Sequence, residues 1–294
     1  MLSTDNLSIF FGGLKALKDL TIEVGDGEVI GLIGPNGAGK TTAFNGITGV
    51  YKPTSGKVTF LGQDITGLKP HEITRKGIAR TFQNIRLFKE LSVLENVLIS
   101  QHMLVKSSLF GQTVGLPRYR GEDKAQYDNA HALLEELGLL QFRDDKSSSL
   151  PYGLQRKLEI ARALATKPRL LLLDEPAAGM NPAETMAFIG LIKQLQQAHD
   201  ISVLMIEHHM QLVMGICDKL WVLVYGEEIA QGTPKEVQNN PAVVEAYLGV
   251  DDDGDIDPEL ARVGADEPAV AEAAEHLGVL PHTDASASEI GGDK

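Results

Sequence analysis

The chain has 294 residues, 43% of them hydrophobic, which fits a globular protein of one large or two modest domains. No apolar run approaches the roughly 18 residues that a membrane-spanning helix requires. The formal charge of −13 is concentrated in residues 251–294, where thirteen acids face two bases. The remaining body is close to neutral and has no basic stripe for nucleic acid.

Met1 to Asn6 is polar and lacks the basic and apolar regions of a secretion signal, so the chain is expected to stay in the cytosol. Leu7–Phe10 and Leu20–Val24 read as strands, with a turn at Gly25-Asp26-Gly27. Val29–Ile33 reads as a buried strand running into Gly34-Pro35-Asn36-Gly37-Ala38-Gly39-Lys40-Thr41, followed by a helix to about Thr48. Lys57–Leu61 and Ile78–Phe82 are further strands around a short helix at Glu72–Gly77.

From Leu91 to Gly138 the pattern is mostly helical, with a Ser92/Glu95 capping box and an apolar stripe at Leu133, Leu134 and Leu137. A looser stretch, Lys106–Gly121, interrupts it; there Leu109 and Phe110 are expected to make core contacts. A helix at Tyr152–Thr166 precedes the strand Leu170–Leu173. The helix Pro182–Gln197, the strand Ser202–Ile206 and the helix His209–Ile216 follow. Leu220–Val224 and Glu228–Ala230 form a hairpin around Tyr225-Gly226. This alternation predicts a largely parallel sheet covered on both faces. Cys217, the single cysteine, excludes an internal disulfide or a cysteine metal cluster and is expected to be a small buried apolar residue. The tail from Asp251 reads as solvated, with a short Ala-rich helix at Pro268–Leu277.

The segment Gly34–Thr41 fits G-x-x-x-x-G-K-[ST] between a strand and a helix. Its glycines let successive N–H groups face phosphates, and the helix N-terminus adds a favourable dipole. Lys40 is expected to reach the β- and γ-phosphates of ATP, and the Thr41 hydroxyl to ligate Mg²⁺; Thr42 belongs to the same site. Leu170–Leu173 ends in Asp174 and Glu175. Asp174 is placed to hold Mg²⁺ and Glu175 to polarise the attacking water.

Taken together, residues 1 to about 250 resemble the ATPases of ABC transporters. The resemblance implies a P-loop NTPase (RecA-like) α/β core with an antiparallel β subdomain and a helical subdomain, about 91–155. It makes Gln83, after Phe82, the Q-loop glutamine that touches Mg²⁺ and water. It makes His208 the switch histidine at the γ-phosphate, and Phe11, 29 residues before Lys40, the aromatic that stacks on adenine. Phe10 alternates with Phe11, so one of the two is expected in the core. Leu150-Pro151-Tyr152-Gly153-Leu154-Gln155 stands where the family carries Leu-Ser-Gly-Gly-Gln, the signature that closes on the neighbouring subunit's nucleotide. Tyr152 and Gly153 are therefore nucleotide-contacting residues across a dimer. Pro151 and Leu154 depart from that signature, as does Asn181 in Gly179-Met180-Asn181-Pro182, where aspartate is usual.

These departures, with Arg80-Thr81-Phe82-Gln83-Asn84, Ile206-Glu207-His208 and Ala246-Tyr247-Leu248-Gly249, resemble one group closely: the ATPases of branched-chain amino acid importers, of the LivG type. His209 departs from that group's usual aspartate. The resemblance implies transmembrane permease subunits, a second ATPase subunit, an indirectly linked solute-binding protein and a place on the cytoplasmic face of the membrane. Three alternatives stand beside this reading: the ATPase of a lipopolysaccharide-type exporter, which shares much of the pattern, that of an amide or urea importer, and, from a different class, a soluble non-transport ABC ATPase. The Tyr-Gly signature and Gly-Met-Asn-Pro count against the exporter. The last usually carries two ATPase units or a long coiled coil, and neither occurs in this sequence.

Overall fold

A computed structural model describes residues 1–101, 117–208 and 210–248. His209, Leu109, Phe110 and the acidic tail with its expected helix lie outside the described residues. Two sheets organise the rest. The first is antiparallel, in the order β2 (Leu14–Leu20), β1 (Leu2–Phe11), β5 (Ser55–Phe60) and β6 (Gln63–Asp64), with β3 (Glu23–Val24) also on β1. The second runs β11 (Glu227–Gly232), β10 (Lys219–Val224), β4 (Val29–Ile33), β9 (Ser202–Ile206), β8 (Leu170–Asp174) and β7 (Ile78–Arg80). All its neighbours are parallel except the β10–β11 hairpin at its edge.

The side-chain period of two splits the central strands between two cores. Ile30, Leu32, Leu170, Leu172, Leu204 and Ile206 face the antiparallel sheet and α1 (Lys40–Ile47), whose Phe44 and Ile47 are fully buried. Val29, Ile33, Leu171, Leu173, Val203 and Met205 face the opposite side. There they meet side chains of α3 (Val93–Gln101), α4 (Pro117–Glu136), α5 (Tyr152–Leu164), α6 (Pro182–Ala198) and α7 (Met210–Ile216). Burial on both faces explains why Leu170–Leu173 is unbroken leucine rather than alternating. The α2 helix (Pro70–Arg75) lies against β7, and α8 (Pro234–Gln238) and α9 (Pro241–Leu248) follow the hairpin.

Three expectations change. Leu20–Val24 is not one strand: β2 ends at Leu20 and β3 begins at Glu23. Between them the buried Thr4 hydroxyl donates to the Leu20 carbonyl at 3.0 Å and accepts the Ile22 N–H at 2.8 Å, while the Thr4 N–H donates to the Ile22 carbonyl at 2.9 Å, so a side chain bridges the break. Pro117–Gly121, the end of the expected loose stretch, is the start of α4, because proline at a first helical position is well tolerated. Neither phenylalanine of the Phe10–Phe11 pair reaches the core: Phe10 is half-buried and Phe11 is exposed. A register shift between Ile9 and Phe10 breaks the alternation that would have buried one of them.

Candidate nucleotide site

The β4 strand delivers the loop 34–39 to the C-terminal edge of the parallel sheet. Gly34 has φ 147°, and a Cβ there would come within 2.0 Å of the Leu223 carbonyl oxygen. Gly39 has φ 100° and would place a Cβ 2.6 Å from the Ala16 carbonyl oxygen. The loop therefore passes closer to β10 and β2 than any side chain permits. Gly39 is also the N-cap of α1 and makes no side-chain cap bond, so the first-turn N–H groups stay available to an anion. A cavity of about 350 Å³ lies over this turn. It is lined by residues 36–42 together with Leu14, Ala16, Glu175 and Tyr225.

Lys40 is 6% exposed, and its Nζ donates to the carbonyls of Gly34 at 2.6 Å and Pro35 at 3.0 Å. Burial lowers its pKa, against the opposing pull of the Glu175, Asp174 and Glu207 charges. At the end of β8, the buried Asp174 carboxylate takes an Arg80 Nη2 bond of 2.6 Å. Arg80 Nη1 also donates to Asn45 at 2.8 Å, which ties β7 to α1. Glu175 follows with φ 45°, a conformation uncommon outside glycine. Its N–H donates to Ile206 at 2.9 Å, so the turned backbone stays registered with β9. Its Oε2 accepts the Gln83 Nε2 bond at 2.6 Å and lies 3.9 Å from His208 Nδ1.

The structure thus gathers Gln83, Glu175 and His208 from three loops, with Glu175 facing the cavity above Lys40, Thr41 and Thr42. The fully buried Glu207 accepts the Ala177 N–H at 2.9 Å and the His208 N–H at 3.1 Å, holding the loops after β8 and β9 together. Phe11, Tyr152 and Gly153 do not line this cavity. Phe11 packs edge-on against Tyr51, with ring centroids 5.1 Å apart. Tyr152 is 48% exposed at the start of α5, and its hydroxyl donates to Ala178 at 3.3 Å.

Sequence reasoning missed the ion-pair role of Arg80, the buried Glu207 and the wall made by Leu14, Ala16 and Tyr225. Glu207 adjoins His208 after an apolar strand, a signal that was present. The wall is assembled from β2 and the β10–β11 turn, far apart in sequence, and no local pattern announces it.

A glycine-rich loop between strand and helix, with acids at the end of another strand of the same parallel sheet, defines a P-loop nucleoside triphosphatase. The family description "ABC transporter" matches residues 17–178, and "Branched-chain amino acid ATP-binding cassette transporter" matches 227–253. The chain is 47% identical to the high-affinity branched-chain amino acid transport ATP-binding protein LivG of Salmonella typhimurium, over 85% of this chain and 98% of that one. It is similar to the crystal structure of the ADP conformation of MJ1267, an ATP-binding cassette of an ABC transporter. That match has a TM-score of 0.74 and 36% identity, covering 85% of this chain and 99% of that one. It also resembles the dimeric post-hydrolysis state of the cassette MJ0796 bound to ADP and Pi. That match has a TM-score of 0.66 and 25% identity, covering 80% and 99%. The chain belongs to the ABC transporter family, as one of its ATP-binding and ATP-hydrolysing subunits. Among the described residues, no helix is long and apolar enough to cross a membrane.

Proposed function

We propose that this ATPase energises uptake of branched-chain amino acids, docked through permease subunits to the cytoplasmic face of the membrane. The similarity to LivG over 85% of the chain supports that solute. A solute-binding protein would feed the permease, and the ATPase itself never touches the amino acid. Residues 1–250 form the ATPase domain, with the helical subdomain at about 91–155, and 251–294 is an acidic appendage.

The observation that carries the catalytic reading is the Gln83–Glu175 bond of 2.6 Å beside His208, over the loop that begins α1. Phosphates of ATP lie against the N–H groups of residues 36–41, and Lys40 turns from its own loop carbonyls to the β- and γ-phosphates. Glu175 takes a proton from water as the water oxygen attacks the γ-phosphorus and the bond to the β,γ-bridging oxygen breaks. Gln83 holds that carboxylate and the water in line, and His208 stabilises the γ-phosphate. The Thr41 hydroxyl, the Asp174 carboxylate and the Gln83 amide oxygen would supply an all-oxygen donor set of the kind that suits Mg²⁺. When bound there, the ion spreads the negative charge that develops on the phosphates. Phe11, exposed at the end of β1, would lie on adenine.

The second half of the site comes from a second ATPase subunit, identical or related. Tyr152 and Gly153 stand at the N-terminus of α5, away from their own cavity, and close on the partner's γ-phosphate. The dimeric state of MJ0796 is in line with this arrangement. Binding of ATP favours the closed dimer, and hydrolysis reopens it.

Glu175→Gln is expected to retain ATP, accumulate an ATP-dependent dimer by light scattering, and lose hydrolysis by roughly a hundredfold or more. Hydrolysis at the normal rate would remove Glu175 from the role of base. Vesicles carrying the permease and binding protein should show ATP hydrolysis stimulated by leucine, isoleucine or valine. No stimulation by any of them overturns the solute.

A further inference from the structure

The cavity leaves one arrangement unexplained. Gln83 sits in the loop after β7, two residues beyond the Thr81 N–H bond to the Leu172 carbonyl of β8 at 2.9 Å, and its amide must hold a 2.6 Å bond to Glu175. The loop around Gln83 is held by α5, the helix that begins at Pro151, Tyr152 and Gly153. Arg156, one turn into α5 and 2% exposed, donates through Nη1 to the Phe82 carbonyl at 2.7 Å and through Nη2 to the Gln83 carbonyl at 2.5 Å. Glu159, one turn further and 6% exposed, accepts Arg156 Nη1 at 3.0 Å. Its other oxygen lies 3.4 Å from the N–H groups of both Phe82 and Arg86. Arg162 continues the row by donating to the Arg86 carbonyl.

One buried guanidinium and one buried carboxylate thus grip both the carbonyls and the N–H groups on either side of Gln83. Burying such a pair is costly, and an apolar pair of similar volume often packs as well. Retaining charge here is intelligible when the aim is a fixed loop backbone, because the planar, pre-organised guanidinium fork holds two successive carbonyls in one fixed geometry.

We propose that Arg156 and Glu159 are positioning residues for hydrolysis: they register Gln83 to the start of α5, so that contact of Tyr152 and Gly153 with a partner's nucleotide is delivered to the Gln83–Glu175 bond of the same subunit. The two nucleotide sites of a dimer are then linked within each chain by two helical turns. The proposal rests on the reading of Gln83 and Glu175 as hydrolytic residues.

The full-length chain is used for the test, with Arg156→Met, Arg156→Lys and Gln83→Ala as variants. In Arg156→Met, amide hydrogen exchange at Phe82 and Arg86 accelerates about tenfold or more, the weight of one charged hydrogen bond. Exchange in β8 and in residues 36–41 stays unchanged. The kcat for ATP falls about tenfold while KM stays within about twofold, because the phosphate loop is untouched. Arg156→Lys, whose single ammonium has no fork, recovers only part of kcat. Gln83→Ala added to Arg156→Met costs much less than Gln83→Ala alone.

Unchanged exchange at Phe82 and Arg86 in both Arg156 variants overturns the clamp. So does a full, additive loss in the double variant. If Gln83→Ala alone leaves kcat unchanged, the hydrolytic reading of Gln83 has failed instead, and the exchange rates alone decide whether the clamp exists. Should Arg156→Met fail to fold, Arg156→Lys carries the same comparison.

Discussion

Lys40 shows how much one residue can hold in a compact turn. Its ammonium is buried, its pKa is lowered by desolvation, and its hydrogen bonds go to its own loop. Arriving phosphates add negative charge beside it and raise that pKa, so binding at alkaline pH takes up a proton. Affinity is therefore full below the lowered pKa of the empty site and declines as pH rises through it. Calorimetric titration of ATP in alkaline buffers of different ionisation enthalpy should show that uptake, and Lys40→Met should abolish it. Lys40, Thr41, Asp174 and Glu175 were legible as a candidate site because their chemistry is written in contiguous motifs. Arg80 was not, because its partner Asp174 lies 94 residues away and only the pairing of β7 with β8 joins them. The exposure of Phe11 was anticipated, but the half-burial of Phe10 was not, since a register shift leaves no mark in residue types.

At the scale of elements, the strands of the parallel sheet were the easiest to read and the antiparallel sheet the hardest. Val29–Ile33 and Ser202–Ile206 are apolar on both faces, and their bounds fall where the pattern does. The β6 strand is two exposed residues, Gln63 and Asp64, with no apolar signal at all. The Ser92/Glu95 box caps α3 as expected, with the Ser92 N–H on Glu95 at 2.7 Å and the Glu95 N–H on Ser92 at 3.2 Å. Ser92→Ala should lower stability by about 1 kcal/mol in urea unfolding, with the slope unchanged. Gly31 is a harsher site. An added Cβ there would meet Leu220 Cδ2 at 2.5 Å and Cys217 Sγ at 3.0 Å, between β4 and the elements packed on it. Gly31→Ala is expected to cost about 1–3 kcal/mol by overpacking, and Gly31→Ala with Leu220→Ala should recover part of that loss.

At the scale of the whole molecule, the parallel sheet divides the interior into two cores, and the site lies along the edge where both end. Cys217 reports on the helical side: it is buried, and burial raises its thiol pKa. Alkylation of Cys217 should therefore track opening of that core, slow in the native protein and fast in urea, and slowed further when ATP stabilises the folded state. Rapid labelling of the native protein would show that this core opens independently.

The two carbonyl bonds of Lys40 carry a last consequence. In the proposed cycle the amine leaves Gly34 and Pro35 for the nucleotide, and after hydrolysis it has the same berth to return to. The vacated turn is thus never left with a stranded charge, and its shape is prepaid before each arrival. Turnover at this loop is an exchange of partners, so departure of the product meets less resistance than the depth of the lysine's burial implies.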